Sequence, residues 1–222
     1  MAASMLGCGS AVTSGDWRKL TARSGSSPDF VAHEIPATPG KSDVDPIVKG
    51  LTDGHLIVHG SDADLAAVVL RLLRTERLAV PVGYVPVDPR SPVARLWSLP
   101  EDTVTAALDG EVTTFPLVRD DNGGVLVGLG VLPRVRGTMY CDDQTPLRGA
   151  ALRVEVTPHR EHGLRVRVVR KGLLRNKAEA YRGRAAQFGG EPVAPVYDGI
   201  THPRSLNRWT WYRHTEDLRI VR

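Results

Sequence analysis

From residue 30 onward the chain alternates short apolar runs with amphipathic stretches of helix length. Residues 30–35 read as a strand, 36–40 as a loop and 44–51 as a short helix closed by the turn Asp53-Gly54. Leu56-Ile57-Val58 is a continuous apolar run of the kind buried on both faces of a parallel sheet. Residues 62–77 form a helix with a long apolar run, and its basic residues gather at the C-terminal end, where they suit the helix dipole. Residues 80–87 are another apolar strand. Strand, helix and strand in that order predict a right-handed crossover unit of a parallel sheet. Short helices follow at 92–97 and 101–108.

Beyond this point the period changes from helical to two. Residues 112–119 and 125–132 read as strands joined by the turn Asp120-Asp121-Asn122-Gly123-Gly124. Leu152, Val154 and Val156 alternate with Arg153 and Glu155, and Leu164, Val166 and Val168 alternate with Arg165 and Arg167. This predicts an antiparallel hairpin that buries all six apolar side chains on one face, with Glu155 facing the arginines across the pair. Further strands are expected at 187–197 and 218–221. The run from Arg208 to His214 interleaves Trp209, Trp211 and Tyr212 with basic residues; it reads as a closing strand whose aromatics cap a second core, with base stacking or anchoring at a lipid interface as the other uses of such a pattern. Residues 1–28 are small, polar and Gly/Ser-rich, with an amphipathic stretch around Trp17 and Leu20 and a loop at 24–28. The expected fold class is α/β: an N-terminal parallel-sheet, Rossmann-like domain over residues 1–125, then a small antiparallel β-rich domain over 126–222.

Composition narrows the classes without choosing among them. With 222 residues, 41% hydrophobic and 24% charged, the chain can bury a sizeable core and is neither disordered nor fibrous. No apolar run approaches the roughly 18 residues of a membrane span, and no basic region leads into an apolar core, so an unexported, cytoplasmic protein is expected. Met5-Leu6-Gly7-Cys8 has the look of a lipoprotein cleavage box but lacks the basic lead, and reads as chance. Cys8 and Cys141 have no metal-ligand spacing. His159, Glu161 and His162 share a hairpin loop without a further spaced ligand, so no metal site is expected. Charge is uneven: residues 151–222 hold 15 of the 29 Lys and Arg but 7 of the 25 Asp and Glu, a local +8 in a chain of net +4. Such a segment suits phosphates or an anionic membrane surface, with nucleic acid the weaker expectation.

The order strand, His59-Gly60-Ser61-Asp62-Ala63-Asp64, helix, strand, Asp88-Pro89-Arg90-Ser91-Pro92, helix resembles the catalytic domain of the diacylglycerol kinase-like lipid kinases, which are related to the NAD kinases. In that family a strand leads into Gly-Gly-Asp-Gly-Thr at a helix N-terminus, and the next strand ends in Pro-x-Gly-Thr-x-Asn-Asp. Gly60 and Asp62 match the first segment, and Gly83, Pro86, Ala94 and Arg95 fit the second. Residues 106–110 resemble the helix and glycine before the family's crossover to its β-rich domain, and Val196-Tyr197-Asp198-Gly199 resembles its Asp-Gly-Glu segment. The resemblance covers most of residues 30–130 and thins toward the C-terminus.

The departures fall on the chemistry-bearing positions. Ser61, Ala63 and Asp64 stand where the family has Gly, Gly and Thr, Asp88 to Pro92 replace its Gly-Thr-Gly-Asn-Asp, and Ile200 stands in place of Glu. Side chains there crowd the backbone amides that approach nucleotide phosphates, Asp64 adds a negative charge at a helix N-terminus, and Pro89 and Pro92 remove two donors. The resemblance implies Asp62 and Asp198 as catalytic and ATP with Mg as cofactors, bound weakly here; Gly60, Ser61, Arg90 and Arg95 are the candidate phosphate-binding residues. Read by themselves, Asp62 is a first-turn carboxylate, Ser61 with Asp64 has capping-box spacing, Arg95 packs its stem on a helix and ion-pairs at the surface, and Asp198-Gly199 is a turn. The leading expectation is a weakly active or non-catalytic member that binds a phosphate-bearing small molecule or lipid headgroup in an interdomain cleft. An active ATP-dependent lipid kinase with a remodelled phosphate loop, and an accessory protein binding nucleic acid or anionic membrane through the basic C-terminal domain, are the alternatives.

Overall fold

The computed structural model describes residues 3–24 and 29–222. In chain order its elements are β1 (Ala3–Cys8), a 3-10 turn (Gly9–Thr13), α1 (Gly15–Ser24), β2 (Phe30–Ile35), α2 (Lys41–Gly50), β3 (His55–Gly60), α3 (Asp62–Arg74), β4 (Val82–Pro86), α4 (Pro92–Trp97), α5 (Thr103–Asp109) and β5 (Val112–Phe115). There follow β6 (Val118–Asp120), β7 (Val125–Leu126), β8 (Gly130–Cys141), β9 (Gln144–His159), β10 (Gly163–Arg170), β11 (Lys177–Gly183), β12 (Ala185–Val193), β13 (Val196–Tyr197), β14 (Ile200–Thr201), β15 (Leu206–Arg213) and β16 (Leu218–Val221). Of the loop expected at 24–28, Ser24 closes α1 and the remainder lies outside the described residues.

The first unit runs from the N-terminus to Phe115 and takes back Asp217–Arg222. Its sheet has the order β2-β1-β3-β4-β16-β5, parallel except for β5, which runs antiparallel to β16. The crossover read from residues 56–87 is present as β3, α3 and β4. β1 escapes the sequence pattern: Ala, Ser, Gly and Cys carry no strand signature, yet all six residues are buried between β2 and β3. The Met5-to-Cys8 run is therefore core strand. α2 begins at Lys41, three residues before the expected start, with the Gly40 amide donating to Asp43 Oδ2 at 2.7 Å. Met5, Trp17, Leu20, Ile57, Val85 and Ala107 belong to its core.

The second unit is Pro116–Glu216. The boundary thus falls ten residues before the expected 125/126, and the last strand returns to the first sheet instead of closing the second. Pro116 offers a reason: it has no amide to continue the β5 ladder, and the expected strand 112–119 divides there into β5 and β6, in different sheets. The second sheet is antiparallel in the order β11-β10-β9-β8-β12-β15-β6-β7, with β13 pairing β8 and β14. Trp209 and Trp211 on β15 are buried in its core, as the closing-strand reading expects.

The β9–β10 hairpin forms with Val154 opposite Val168 and Glu155 opposite Arg167. Val154, Val156, Leu164, Val166 and Val168 are buried, but Leu152 is 37% exposed, a correction to the six-residue face. Inward positions on β9 step from Val154 to Ala151, and on the partnering β8 from Leu132 to Val135, so alternation slips by one on both strands. Arg134, opposite this slip, has φ 47°, a left-handed conformation that breaks the pleat. Glu155 accepts from Arg153 Nε at 2.6 Å and Arg167 Nη1 at 2.7 Å. Burial raises the Glu155 pKa, but the two guanidiniums outweigh it and hold the carboxyl below its usual range.

Candidate functional site

Because β1 to β4 are parallel, the loops that follow them gather along one edge of the first sheet, the edge where open α/β sheets bind ligands. Ser61 is the N-cap of α3, and its hydroxyl accepts from the Asp64 amide at 3.2 Å. The Asp64 carboxylate, 5% exposed, returns the bond by accepting from the Ser61 amide (2.8 Å) and hydroxyl (2.7 Å). Its other oxygen accepts from the Thr38 amide, in the loop after β2, at 2.6 Å. The capping box read from the sequence is real, and it extends to a second loop. Gly60 is part of the same construction: a Cβ there would lie 2.7 Å from Asp64 Oδ2, so the residue leaves room for that carboxylate.

Asp62 is a bracket between three elements. Its Oδ1 accepts from the Ser91 hydroxyl and from the Tyr84 hydroxyl on β4 at 2.8 Å, and Oδ2 lies 3.4 Å from the Val93 amide in α4. Ser91 also caps α4, accepting from the Ala94 amide at 3.0 Å, with Pro92 filling a first-turn position that needs no amide. Tyr84 is 1% exposed, and burial first, then the Asp62 charge, raises its phenol pKa above the usual range.

Arg90 points into solvent, 90% exposed, with Nε 3.4 Å from Asp88 Oδ1. The Arg90 amide, then its side chain, holds the Asp88 carboxyl below its usual range. Arg95 is exposed on α4 and lines a cavity of about 530 Å³ with Pro86, Val87, Pro89, Ala94 and Leu99. A second cavity of about 480 Å³, lined by Lys19, Arg23 and Asp102, shares Asp16, Glu101 and Thr103 with the first. Lys19 and Arg23 are paired with Asp16 (2.9 Å) and Asp109 (3.2 Å), whereas Arg95, against the surface ion pair expected for it, enters none of the ion pairs found among the described residues.

Asp198 belongs to the second unit. It is 6% exposed with φ 47°, and its carboxylate accepts from the amides of Val127 (3.0 Å), Gly128 (2.7 Å) and Leu129 (3.0 Å), which fixes the turn before β8. In the β9–β10 turn the ligand atoms of His159, Glu161 and His162 lie within 4.8 Å of one another on an exposed surface. Burial and the neighbouring Arg182 lower the His159 pKa.

Sequence reasoning missed Ser14, His59, Thr38 and Tyr84. His59, 1% exposed at the end of β3, has Nδ1 2.8 Å from the Val85 carbonyl and Nε2 2.6 Å from Ser14 Oγ, which itself accepts from the Trp17 amide. A carbonyl only accepts, so Nδ1 carries the proton and Nε2 accepts from Ser14. Their apolar and polar surroundings are long-range in sequence, and only the buried histidine in an apolar strand was a signal. Cys8, on the neighbouring strand β1, is buried, and burial, then the Asp64 charge, pushes its thiol up to about 12.

The nucleotide phosphates and Mg implied by the resemblance are poorly matched here. Amides of the β2–α2 and β3–α3 loops already serve Asp64, Pro89 and Pro92 have no amide to offer, and the Asp62 oxygens hold protein donors.

A parallel sheet followed by a larger antiparallel sheet, with this edge between successive β–α loops, defines the two-domain fold of diacylglycerol kinase-like and NAD kinase proteins. A candidate diacylglycerol kinase from Bacillus anthracis str. Sterne superposes with TM-score 0.74 at 12% identity, over 99% of this chain and 96% of that one. A diacylglycerol kinase structure from the same organism gives TM-score 0.67 at 11% identity, over 99% and 96%. An Archaeoglobus fulgidus NAD kinase in complex with ATP gives 0.59 at 12% identity, over 100% and 94%. At these identities the likeness is one of fold. No protein-family model and no curated protein matches the chain.

Proposed function

We propose that this chain is a diacylglycerol kinase-like protein that no longer positions ATP, and that it binds a phosphate-bearing small molecule or lipid headgroup through Arg95. The observation that carries the reading is the Asp64 carboxylate at the start of α3, bonded to the Ser61 and Thr38 amides. A phosphate arriving there meets a fixed negative charge in place of free donors. Asp62 and Asp198 act in this reading as anchors of loops, since their oxygens are committed to hydroxyl and amide donors. Arg95 is left as the cation without an ion-pair partner in the cavity beside β4, and supplies the charge for a phosphate.

Calorimetry tests both halves. Mg-ATP should bind more weakly than millimolar, less than about 4 kcal/mol of binding free energy. Glycerol phosphate, offered as a headgroup probe, should bind measurably and lose that binding in Arg95→Ala. Tight, Mg-dependent ATP binding would overturn the first half, and unchanged glycerol phosphate binding in the variant the second.

A further inference from the structure

Leu173 and Leu174, in the loop joining β10 to β11, are 106% and 102% exposed, as bare as in an extended peptide; the other exposed large apolar side chains among the described residues lie between 37% and 48%. Folding normally hides such side chains or leaves them single and half covered. Here two stand side by side on a built support. β10 is paired on both edges, by β9 and β11, and Val166, Val168 and Val169 are buried. The Arg170 guanidinium donates to the Pro146 carbonyl at 2.7 Å at the base of the loop. Gly172 approaches the Arg175 carbonyl so closely that any Cβ would collide with it, so the tip is a tight turn with both leucines outside it.

The flanks are cationic. Arg170, Lys171, Arg175 and Lys177 surround the pair, and no carboxylate occurs between Glu161 and Glu179. Glu179 pairs with Arg170, whereas Lys171, Arg175 and Lys177 are exposed and enter none of the ion pairs found among the described residues. The whole second unit carries 17 basic and 10 acidic side chains.

We infer that residues 171–177 are a membrane-docking loop: Leu173 and Leu174 enter the boundary between headgroups and acyl chains of an anionic bilayer while Lys171, Arg175 and Lys177 meet lipid phosphates. Apolar tips with flanking cations match the layering of a bilayer surface, where long basic side chains reach the phosphates as their neighbours sink. Two side chains are far too small a footprint for a stable protein interface, which buries roughly 800 Å² per partner. The loop has no aromatic side chain on which a base could stack, so nucleic acid fits it less well. This inference stands on the second unit alone and needs nothing from the phosphate-ligand reading.

The test is co-sedimentation of the full chain with vesicles of phosphatidylcholine alone or mixed with phosphatidylserine. Wild-type protein should sediment with the mixed vesicles, and high salt should reduce this on the order of tenfold or more. Leu173→Ser with Leu174→Ser should reduce it about tenfold with an unchanged melting temperature, because neither side chain packs on anything. Leu174→Trp should give an indole quenched by acyl-brominated lipid in mixed vesicles. Wild-type protein left in the supernatant, undiminished binding by the double serine variant, or an unquenched indole would each overturn the inference. Self-association by ultracentrifugation that the serine variant abolishes, without vesicle binding, would replace the bilayer with a second copy of the chain.

Discussion

The Asp64 carboxylate and the Thr38 amide, 26 residues apart in sequence, meet at 2.6 Å and tie the loop after β2 to the first turn of α3. Asp64 sets a carboxylate where a phosphate would need free amides, and it is also the group on which the local structure depends. On the proposed reading, stability and nucleotide affinity pull in opposite directions at this position.

Asp64→Thr should cost about 2 kcal/mol, because the Thr38 and Ser61 amides lose their acceptor while the helix loses half of its capping box. Combined with Ala63→Gly it should strengthen Mg-ATP binding in calorimetry, with Asp88→Gly adding to the gain through the second loop. A variant that is destabilised without gaining affinity would show that Asp64 is a structural cap and nothing more.

The slip in alternation at Leu152 makes a sharp contrast with its neighbour. Leu152→Thr should change stability by less than about 0.5 kcal/mol. Val154→Ala, two residues away but fully buried, should cost about 2 kcal/mol. Chemical denaturation of the two variants checks the pair. Equal costs would restore the regular alternation expected from the sequence.

What the sequence revealed and what it hid divides along physical lines. β3, α3 and β4 were legible because apolar period, cap and basic C-terminus agree over 30 residues. The Ser61–Asp64 box was legible from a three-residue spacing. Thr38 was not, since its bond to Asp64 is made by a backbone amide across 26 residues, and the Ser14–His59 pair spans 45. β1 was hidden because a strand buried on both faces between neighbours tolerates Ala, Ser, Gly and Cys, which carry no periodic signal. β16 was seen as a strand, but nothing in four residues says which sheet it joins. Leu152 was misplaced because a residue with positive φ, Arg134, lies on the partner strand and resets the pleat from there.

The ion pair of Asp45 with Arg71 makes stability depend on pH. Arg71 donates from Nε at 2.8 Å and from Nη2 at 2.9 Å to the two carboxylate oxygens, joining α2 to α3. These bonds, aided by Lys41 and Lys49 and opposed by burial, lower the Asp45 pKa from the ordinary 3.8. A depressed carboxyl contributes stability that is complete above its unfolded value and is lost as pH falls through its folded one. Asp45→Asn should therefore melt below wild type near neutral pH, and the deficit should close as the solution is acidified past 3.8. Melting curves across acid pH measure it. A deficit constant down to strongly acid solution would mean that the variant's defect is steric.

Asp62 decides between loop anchor and catalytic acid, and its partners make the decision measurable. Its Oδ1 is shared by Ser91 and Tyr84, two side chains that are themselves buried, so removing either hydroxyl breaks a bond that water cannot replace. Ser91→Ala should cost about 1–2 kcal/mol, since it also uncaps α4, and Tyr84→Phe about 1 kcal/mol. Asp62→Ala should then be non-additive with Ser91→Ala by about 1 kcal/mol, because each single variant already removes the shared bond. A catalytic Asp62 would show itself in turnover instead: Asp62→Asn would abolish ATP-dependent phosphorylation of a lipid substrate, whatever the coupling in stability. Strong coupling without any ATP turnover in the wild-type protein is the expected result, and it assigns this carboxylate to holding α3, β4 and α4 together.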